Sequence, residues 1–108
     1  MNRFDSIQAR RAAERRARGL MAARRIAEDL AALGCRTFLF GSMAQGSSGA
    51  TADIDLAVEC PDRHRYRIES RAQEIAGDIP VDVVYLDELR EPWRSRILGE
   101  MVDAAGLC

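Results

Sequence analysis

The sequence has no lysine, few aromatic residues and no long apolar segment. The lack of lysine and the lack of a long apolar segment each exclude a class of protein. Without lysine the chain cannot form the GxxxxGK[ST] phosphate loop, and that pattern is absent as a whole. Its apolar runs fall far short of the roughly 20 residues that a membrane span requires, so no membrane partner is expected. Aromatic residues make up only 6% of the chain.

Cysteine is also scarce, with three residues that form no CxxC pair: Cys35, Cys60 and Cys108. Such isolated thiols indicate neither a zinc site nor a disulfide framework, and we expect them to be packing residues without a disulfide. No apolar signal segment follows the N-terminus. The sequence therefore favours a cytoplasmic protein.

The length and charge of the chain favour a single compact domain. It has 108 residues, 47% of them apolar, and a net charge of −1. This is enough for one modest core and leaves no room for a second domain. We predict one domain over residues 1–108, with an arginine-rich N-terminal helix in 1–34 and a catalytic core in 35–108.

The N-terminal segment is rich in arginine and patterned as a helix. All sixteen basic residues are arginine, and eight of them lie between Arg3 and Arg25. The spacing of alanine and leucine predicts one long helix over 5–33, with Gly34 as its stop and a possible break at Gly19. The arginines are interpreted as a solvated face, with docking of an acidic partner or of nucleic acid as alternatives. Nucleic acid is not an expected partner, because only Phe4 could stack a base there.

The remaining segments predict a small sheet covered by helices. The predicted elements are strands over 36–40, 53–58 and 80–85, a loop over 41–51 with one helical turn near 43–45, a helix over 62–77 and a final helical region after Asp87. The order α-β-β-α-β-α indicates an α/β (α+β) fold with a small mixed sheet.

Two aspartates on one predicted strand carry the first chemical signal. Asp53 and Asp55 alternate with Ile54 and Leu56, so their side chains share one face of the strand. Aspartate is depleted in strands, and two nearby carboxylates repel each other. A divalent cation between them would relieve that repulsion, and hard oxygen ligands suit Mg²⁺.

A third aspartate and a glycine–serine turn extend the pattern. Asp82 lies among valines in the strand at 80–85 and joins the other carboxylates if that strand pairs with the one at 53–58. Three carboxylates can hold two metal ions about 4 Å apart for in-line phosphoryl displacement. Gly41 allows the backbone to approach a phosphate, and Ser42 can donate a hydrogen bond to it.

The run from Phe40 to Gly46, followed by Asp53-Ile-Asp-Leu56, resembles the signature of the DNA polymerase beta-like nucleotidyltransferase superfamily, and within it the minimal nucleotidyltransferase (MNT) group. The resemblance covers most of residues 20–107. In two positions the chain departs from it, with Gln45 where the family often has arginine and Ala52 where it often has serine.

The resemblance implies a role for each matching residue. Gly41 and Ser42, with Gln45 beside them, would bind the nucleoside triphosphate, ATP or another. Asp53 and Asp55 would bind two Mg²⁺ ions, and Asp82 would bind the catalytic ion and help to activate the acceptor hydroxyl.

The resemblance also implies a partner. Small family members are commonly paired with an all-helical HEPN toxin, which the MNT protein counteracts as antitoxin by adenylylating a tyrosine or by binding. The leading hypothesis is thus Mg²⁺-dependent transfer of a nucleoside monophosphate to a partner protein. The alternatives are a non-catalytic module that neutralises its partner by contact, and a transferase acting on RNA or a small molecule. A homo-oligomer is compatible with all three.

Overall fold

The computed structural model describes residues 2–61 and 64–107. Its helices and strands alternate along the chain, with short 3₁₀ turns after β3 and β4. The bounds are α1 Arg3–Ala31, β1 Arg36–Phe40, α2 Gly41–Gln45, β2 Ile54–Glu59, α3 Arg65–Ala76, β3 Val81–Tyr85, α4 Trp93–Glu100 and β4 Val102–Asp103.

The four strands form one mixed sheet in the order β3-β2-β1-β4. β1 pairs antiparallel with both β2 and β4, whereas β2 and β3 are parallel. A parallel pair needs a crossover, which α3 supplies between β2 and β3. The predicted α+β class with a small mixed sheet is confirmed. The prediction missed β4, because two residues are too short to show a strand period.

The helices α1 and α3 cover one face of the sheet and make the main core. This core contains Ile26, Leu30, Leu39, Leu56 and Ile68, all fully buried. The opposite face has a smaller cluster in which α4 packs on the sheet, formed by Phe38, Ala57, Leu86 and Ile97. Because side chains alternate along a strand, the polar residues of β2 and β3 emerge on this second, more open face.

The N-terminal helix differs from its prediction in its ends and in its continuity. Asn2 caps it by accepting a hydrogen bond from the backbone N–H of Asp5, so the helix starts before the predicted cap. It is continuous through Gly19. That glycine serves close packing rather than a break, because it is buried and a methyl group there would overlap the side chain of Met43. Gly34 follows the helix with a φ of +80°. None of the described residues before Gly19 is buried.

The cysteines correct one expectation. Cys35 and Cys60 are both buried and are joined as a disulfide, with Cα atoms 4.3 Å apart. They lie directly before β1 and directly after β2, next to the paired residues Arg36 and Glu59. The antiparallel pairing therefore brings them together across 25 residues of sequence, which cysteine spacing alone does not reveal. Cys108 lies outside the described residues.

Helix α3 differs from its prediction at both ends. The predicted helix over 62–77 is observed as Arg65–Ala76, and its first two predicted positions lie outside the described part of the chain. Among the helices that the structure describes, none combines the length and the apolar character that crossing a bilayer requires.

Candidate active site

Asp55 and Asp82 are direct neighbours on the open face of the sheet. They are register partners in the parallel ladder between β2 and β3. Ile54 and Leu56, on either side of Asp55, are fully buried beneath the helices. Parallel partners in register point to the same side, so both carboxylates emerge on the face opposite α1 and α3. The structure thus brings together two of the three aspartates from separate strands.

Asp53 lies one residue before β2 rather than inside it, and Arg15 of α1 lies beside it. The Arg15 guanidinium donates through Nε to the backbone oxygen of Ala52, at 2.8 Å. Its Nη2 lies 4.0 Å from Oδ1 of Asp53. Arg15 therefore holds the segment that leads into the strand and places a positive charge beside its first aspartate.

Gly41 follows β1 at the point where that strand pairs with Asp55. Phe40 is the register partner of Asp55, and Gly41 turns the chain into α2 with a φ of +75°. A methyl group on Gly41 would overlap Oδ2 of Asp55. The predicted glycine–serine turn is therefore adjacent to the predicted carboxylates, and Ser42 stands next to Gly41 in the first turn of α2.

A residue that the sequence analysis did not identify, Glu100, completes this edge of the site. Its Oε1 accepts a hydrogen bond from the backbone N–H of Gly41 at 3.4 Å, and its Oε2 accepts one from Nε2 of Gln45 at 2.7 Å. It is the last residue of α4 and is half-buried. No local motif marks it, because its partners lie 59 and 55 residues away in sequence.

The electrostatics of the site centre on Asp55. The pKa of Asp55 is raised from 3.8 to about 6, first by burial and then by the negative charges of Asp82, Asp53 and Glu100, in that order of effect. These contributions show that three other carboxylates lie close enough to Asp55 to destabilise its charged form. A bound divalent cation would reverse that penalty, since it favours every carboxylate in its ionised form.

The oxygen donors at this edge fit a hard cation such as Mg²⁺ in their chemistry. Within residues 2–61 and 64–107, however, no three His, Cys, Asp or Glu side chains lie close enough together to hold a metal ion. Asp53 is drawn toward Arg15, whereas Asp55 and Asp82 lie on neighbouring strands. The structure thus brings the candidate ligands to one edge without assembling them into a metal centre.

Two arginines of α1, Arg15 and Arg16, reach this site, whereas the other six are exposed, in agreement with the predicted solvated face. Besides Arg15, the neighbouring Arg16 donates through Nε to the backbone oxygen of Met43 in α2, at 3.0 Å. Two successive arginines therefore hold the two ends of the 43–52 segment. A helical surface pattern does not reveal such contacts, because their partners are backbone oxygens 37 and 27 residues away.

Comparisons with known proteins agree with this fold. A solved structure described, provisionally, as a minimal nucleotidyltransferase matches with a TM-score of 0.63 and 26% identity, over 77% of this chain and 90% of the other. A toxin–antitoxin crystal structure with AMP-PNP matches with a TM-score of 0.52 and 25% identity, over 64% of this chain and 58% of the other. No curated protein matches the sequence.

The family comparison extends over most of the sheet. The model of the family described as "Polymerase beta, Nucleotidyltransferase" matches residues 36–102. That range runs from the start of β1 to the first residue of β4 and contains all six residues predicted for the site, together with Glu100. Because the match covers more than half of the 108 residues, the chain belongs to the polymerase beta nucleotidyltransferase family.

Proposed function

We propose that this protein is a Mg²⁺-dependent nucleotidyltransferase that transfers AMP from ATP to a hydroxyl group on a partner protein, and that it thereby acts as the antitoxin of a HEPN-type toxin. The observation that carries the proposal is the parallel register of Asp55 with Asp82, on the sheet face where Gly41 turns the chain. Family membership supports the reaction class, and the toxin–antitoxin structure with AMP-PNP supports an adenine nucleotide and a protein partner.

The triphosphate would lie along the turn between β1 and α2. Gly41 presents a backbone N–H and no side chain, so a phosphate oxygen can approach closely. Ser42 supplies a hydroxyl group and Gln45 a side-chain amide, both of which donate hydrogen bonds to phosphate oxygens. Because the chain has no lysine, these neutral donors and the bound Mg²⁺ would do the work that a phosphate-loop lysine does elsewhere.

Asp53, Asp55 and Asp82 would hold the two Mg²⁺ ions. When bound, these ions would neutralise charge on the triphosphate and on the attacking and leaving oxygens. The acceptor oxygen forms a bond to the α-phosphorus while the bond to the β-phosphate oxygen breaks, and pyrophosphate leaves. Asp82 is exposed on the edge strand β3, where an acceptor hydroxyl can reach it, and it would orient that hydroxyl and receive its proton.

A partner protein would supply the acceptor. Apolar side chains are exposed on α4 and β4, the elements next to the site: Trp93 is 58% exposed, Leu98 41% and Val102 39%. α4 also carries Glu100, which contacts Gly41 in the turn between β1 and α2. A partner protein bound beside the site would cover these exposed apolar side chains. A partner bound there would bring its hydroxyl group to the aspartates.

The test is mass analysis of the protein encoded by the neighbouring gene, after incubation with the purified protein, Mg²⁺ and each NTP. We expect a gain of one AMP on the neighbour with ATP. The Asp53→Asn and Asp55→Asn variants should abolish the gain. Asp78→Asn is the matched control, because it removes an equal charge from an exposed residue that pairs with Arg18. No mass gain with any NTP would contradict the transferase proposal.

One observation favours a second candidate, neutralisation of the partner by contact alone. In the described part of the chain, the carboxylates do not form a ready metal centre, and Glu100 occupies the N–H of Gly41. A binding module would keep the fold without needing those features. If the wild type adds no mass to the partner, and Asp53→Asn and Asp55→Asn still neutralise it, this candidate is the correct one.

A further inference from the structure

We propose that Glu100 makes nucleotide binding conditional on a divalent cation, by placing a negative charge on the donors that receive the triphosphate. The inference rests on the proposed function, because it assumes that Gly41 and Gln45 contact phosphate. It assigns to Glu100 a role in selectivity: the site admits a metal–nucleotide complex and excludes the metal-free nucleotide.

The geometry places the Glu100 carboxylate where phosphate oxygens would bind. Its two oxygens accept separately from the Gly41 N–H and from the Gln45 amide, at 3.4 Å and 2.7 Å. A carboxylate that accepts from two such donors occupies them in the way that two oxygens of a phosphate group would. Nucleotide can reach both donors only if Glu100 moves or shares them.

The position of Glu100 is fixed by packing. It ends α4, and Ile97, one turn earlier in that helix, is buried in the cluster with Phe38 and Ala57 on the open face of the sheet. The charge of Glu100 also reaches Asp55, where it contributes to the repulsion among the carboxylates. Its negative charge is therefore part of the same field as the three aspartates.

This field decides which form of nucleotide can bind. A metal-free triphosphate would bring several negative charges next to Glu100 and the aspartates, and Coulomb repulsion at a few ångströms strongly disfavours it. Arg15 and Arg16 are engaged in other contacts, Arg15 with Ala52 and Asp53 and Arg16 with Met43, and within the described residues neither forms an ion pair with Glu100. A divalent cation carried with the triphosphate supplies the missing positive charge.

Glu100 could instead act only as a structural link between α2 and α4. The Glu100→Gln variant separates the two roles, because glutamine keeps the side-chain length and an acceptor oxygen but has no charge. A structural link would survive this change largely intact. A charge that excludes metal-free nucleotide would be lost completely. Glu100→Ala serves as a second variant, because it removes charge and link together.

The experiment measures ATP binding by titration calorimetry, in EDTA and in Mg²⁺, for the wild type, Glu100→Gln and Glu100→Ala. The charge-matched control is Glu74→Gln, an exposed residue of α3 on the covered side of the sheet. In EDTA we expect Glu100→Gln and Glu100→Ala to bind ATP at least about tenfold more tightly than the wild type. In Mg²⁺ all four proteins should bind ATP with affinities within a fewfold of one another, and Glu74→Gln should equal the wild type in both conditions.

Two results would overturn the inference, and they are distinguishable. If the wild type binds ATP with Mg²⁺ but equals Glu100→Gln and Glu100→Ala in EDTA, the selectivity role of Glu100 is wrong and the proposed function stands. If the wild type binds no nucleotide even with Mg²⁺, the proposed function fails and the inference fails with it.

Discussion

Gly41 and Asp55 are in such close contact that no side chain fits between them. A methyl group on Gly41 would overlap Oδ2 of Asp55, and Gly41 also has a φ of +75°, which disfavours any other residue. Glycine is therefore required at position 41 for two reasons: the positive φ of its backbone, and the nearness of the Asp55 carboxylate on the neighbouring strand. These two requirements place the turn between β1 and α2 directly beside the aspartates.

The Gly41→Ala variant should lose both stability and nucleotide binding. The positive φ costs about 1–2 kcal/mol of unfolding free energy for an alanine. The new methyl group meets the end of the Asp55 side chain rather than backbone, so the carboxylate rotates away and leaves the site. We expect the affinity for Mg²⁺–ATP to fall at least about tenfold, as measured by calorimetry.

Gly46→Ala is the control for this prediction. Gly46 has nearly the same φ, +77°, but a methyl group there would meet only the end of Arg16, at 3.9 Å. It should therefore lose about the same unfolding free energy, about 1–2 kcal/mol, without the loss of nucleotide affinity. Equal losses of affinity in both variants would show that the contact of Gly41 with Asp55 is unimportant.

The raised pKa of Asp55 predicts an unusual dependence of stability on pH. The carboxyl has a pKa of about 6 in the folded protein against 3.8 otherwise. Between these values the folded state binds more protons than the unfolded state, so the unfolding free energy falls as pH rises. Asp55→Asn should abolish this fall and stabilise the metal-free protein at neutral pH by about 1 kcal/mol, after allowance for solvent screening.

Urea denaturation across the range from about pH 4 to about pH 7 checks this prediction. Asp78 provides a control of opposite sign, because its hydrogen bond with Arg18 lowers the pKa of that carboxyl. Asp78→Asn should destabilise the protein at neutral pH, whereas Asp55→Asn should stabilise it. If Asp55→Asn destabilises the protein at neutral pH, as Asp78→Asn is expected to do, the assigned repulsion at Asp55 is wrong.

Arg15 is expected to position Asp53 for the reaction. The Arg15→Ala variant loses the hydrogen bond to Ala52 and the charge beside Asp53, at a cost of about 1 kcal/mol of unfolding free energy. We expect the transfer rate to fall about tenfold, with saturation at a higher Mg²⁺ concentration. Arg15→Lys should recover part of the rate, because it restores the charge without the guanidinium geometry.

The matched control is Arg18→Ala, which removes an exposed arginine of the same helix that pairs with Asp78. It should leave the rate and its Mg²⁺ dependence unchanged. A loss of rate in Arg15→Ala without any shift in the Mg²⁺ dependence would show that Arg15 supports the fold rather than the metal ligand.

Replacing Gln45 with arginine should strengthen nucleotide binding. The Gln45 amide already donates to Glu100 at 2.7 Å, so a guanidinium group at this position would pair with that carboxylate and offer further donors to phosphate. We expect Gln45→Arg to raise the affinity for Mg²⁺–ATP about tenfold. Gln45→Met, of similar size and without donors, should lower it, and an unchanged affinity in both variants would place Gln45 outside the nucleotide site.

The sequence by itself determined the local features of this site. Buried Ile54 and Leu56 on either side of Asp55 fix the face of the strand on which the aspartate emerges, and a glycine between β1 and α2 fixes the turn. These features depend only on neighbouring residues, because strand alternation and positive φ are local properties. For that reason the predicted strands, the turn and the carboxylate face are found close to their expected places.

Only the tertiary structure decided which distant residues meet. The register that sets Asp55 opposite Asp82 depends on how two strands pair, and a slip of one residue would move Asp82 to the other face. The contacts of Arg15 with the segment before Asp53, and of Glu100 with Gly41, join residues tens of positions apart. Such contacts are set by the packing of whole helices on the sheet, so no local pattern in the sequence records them.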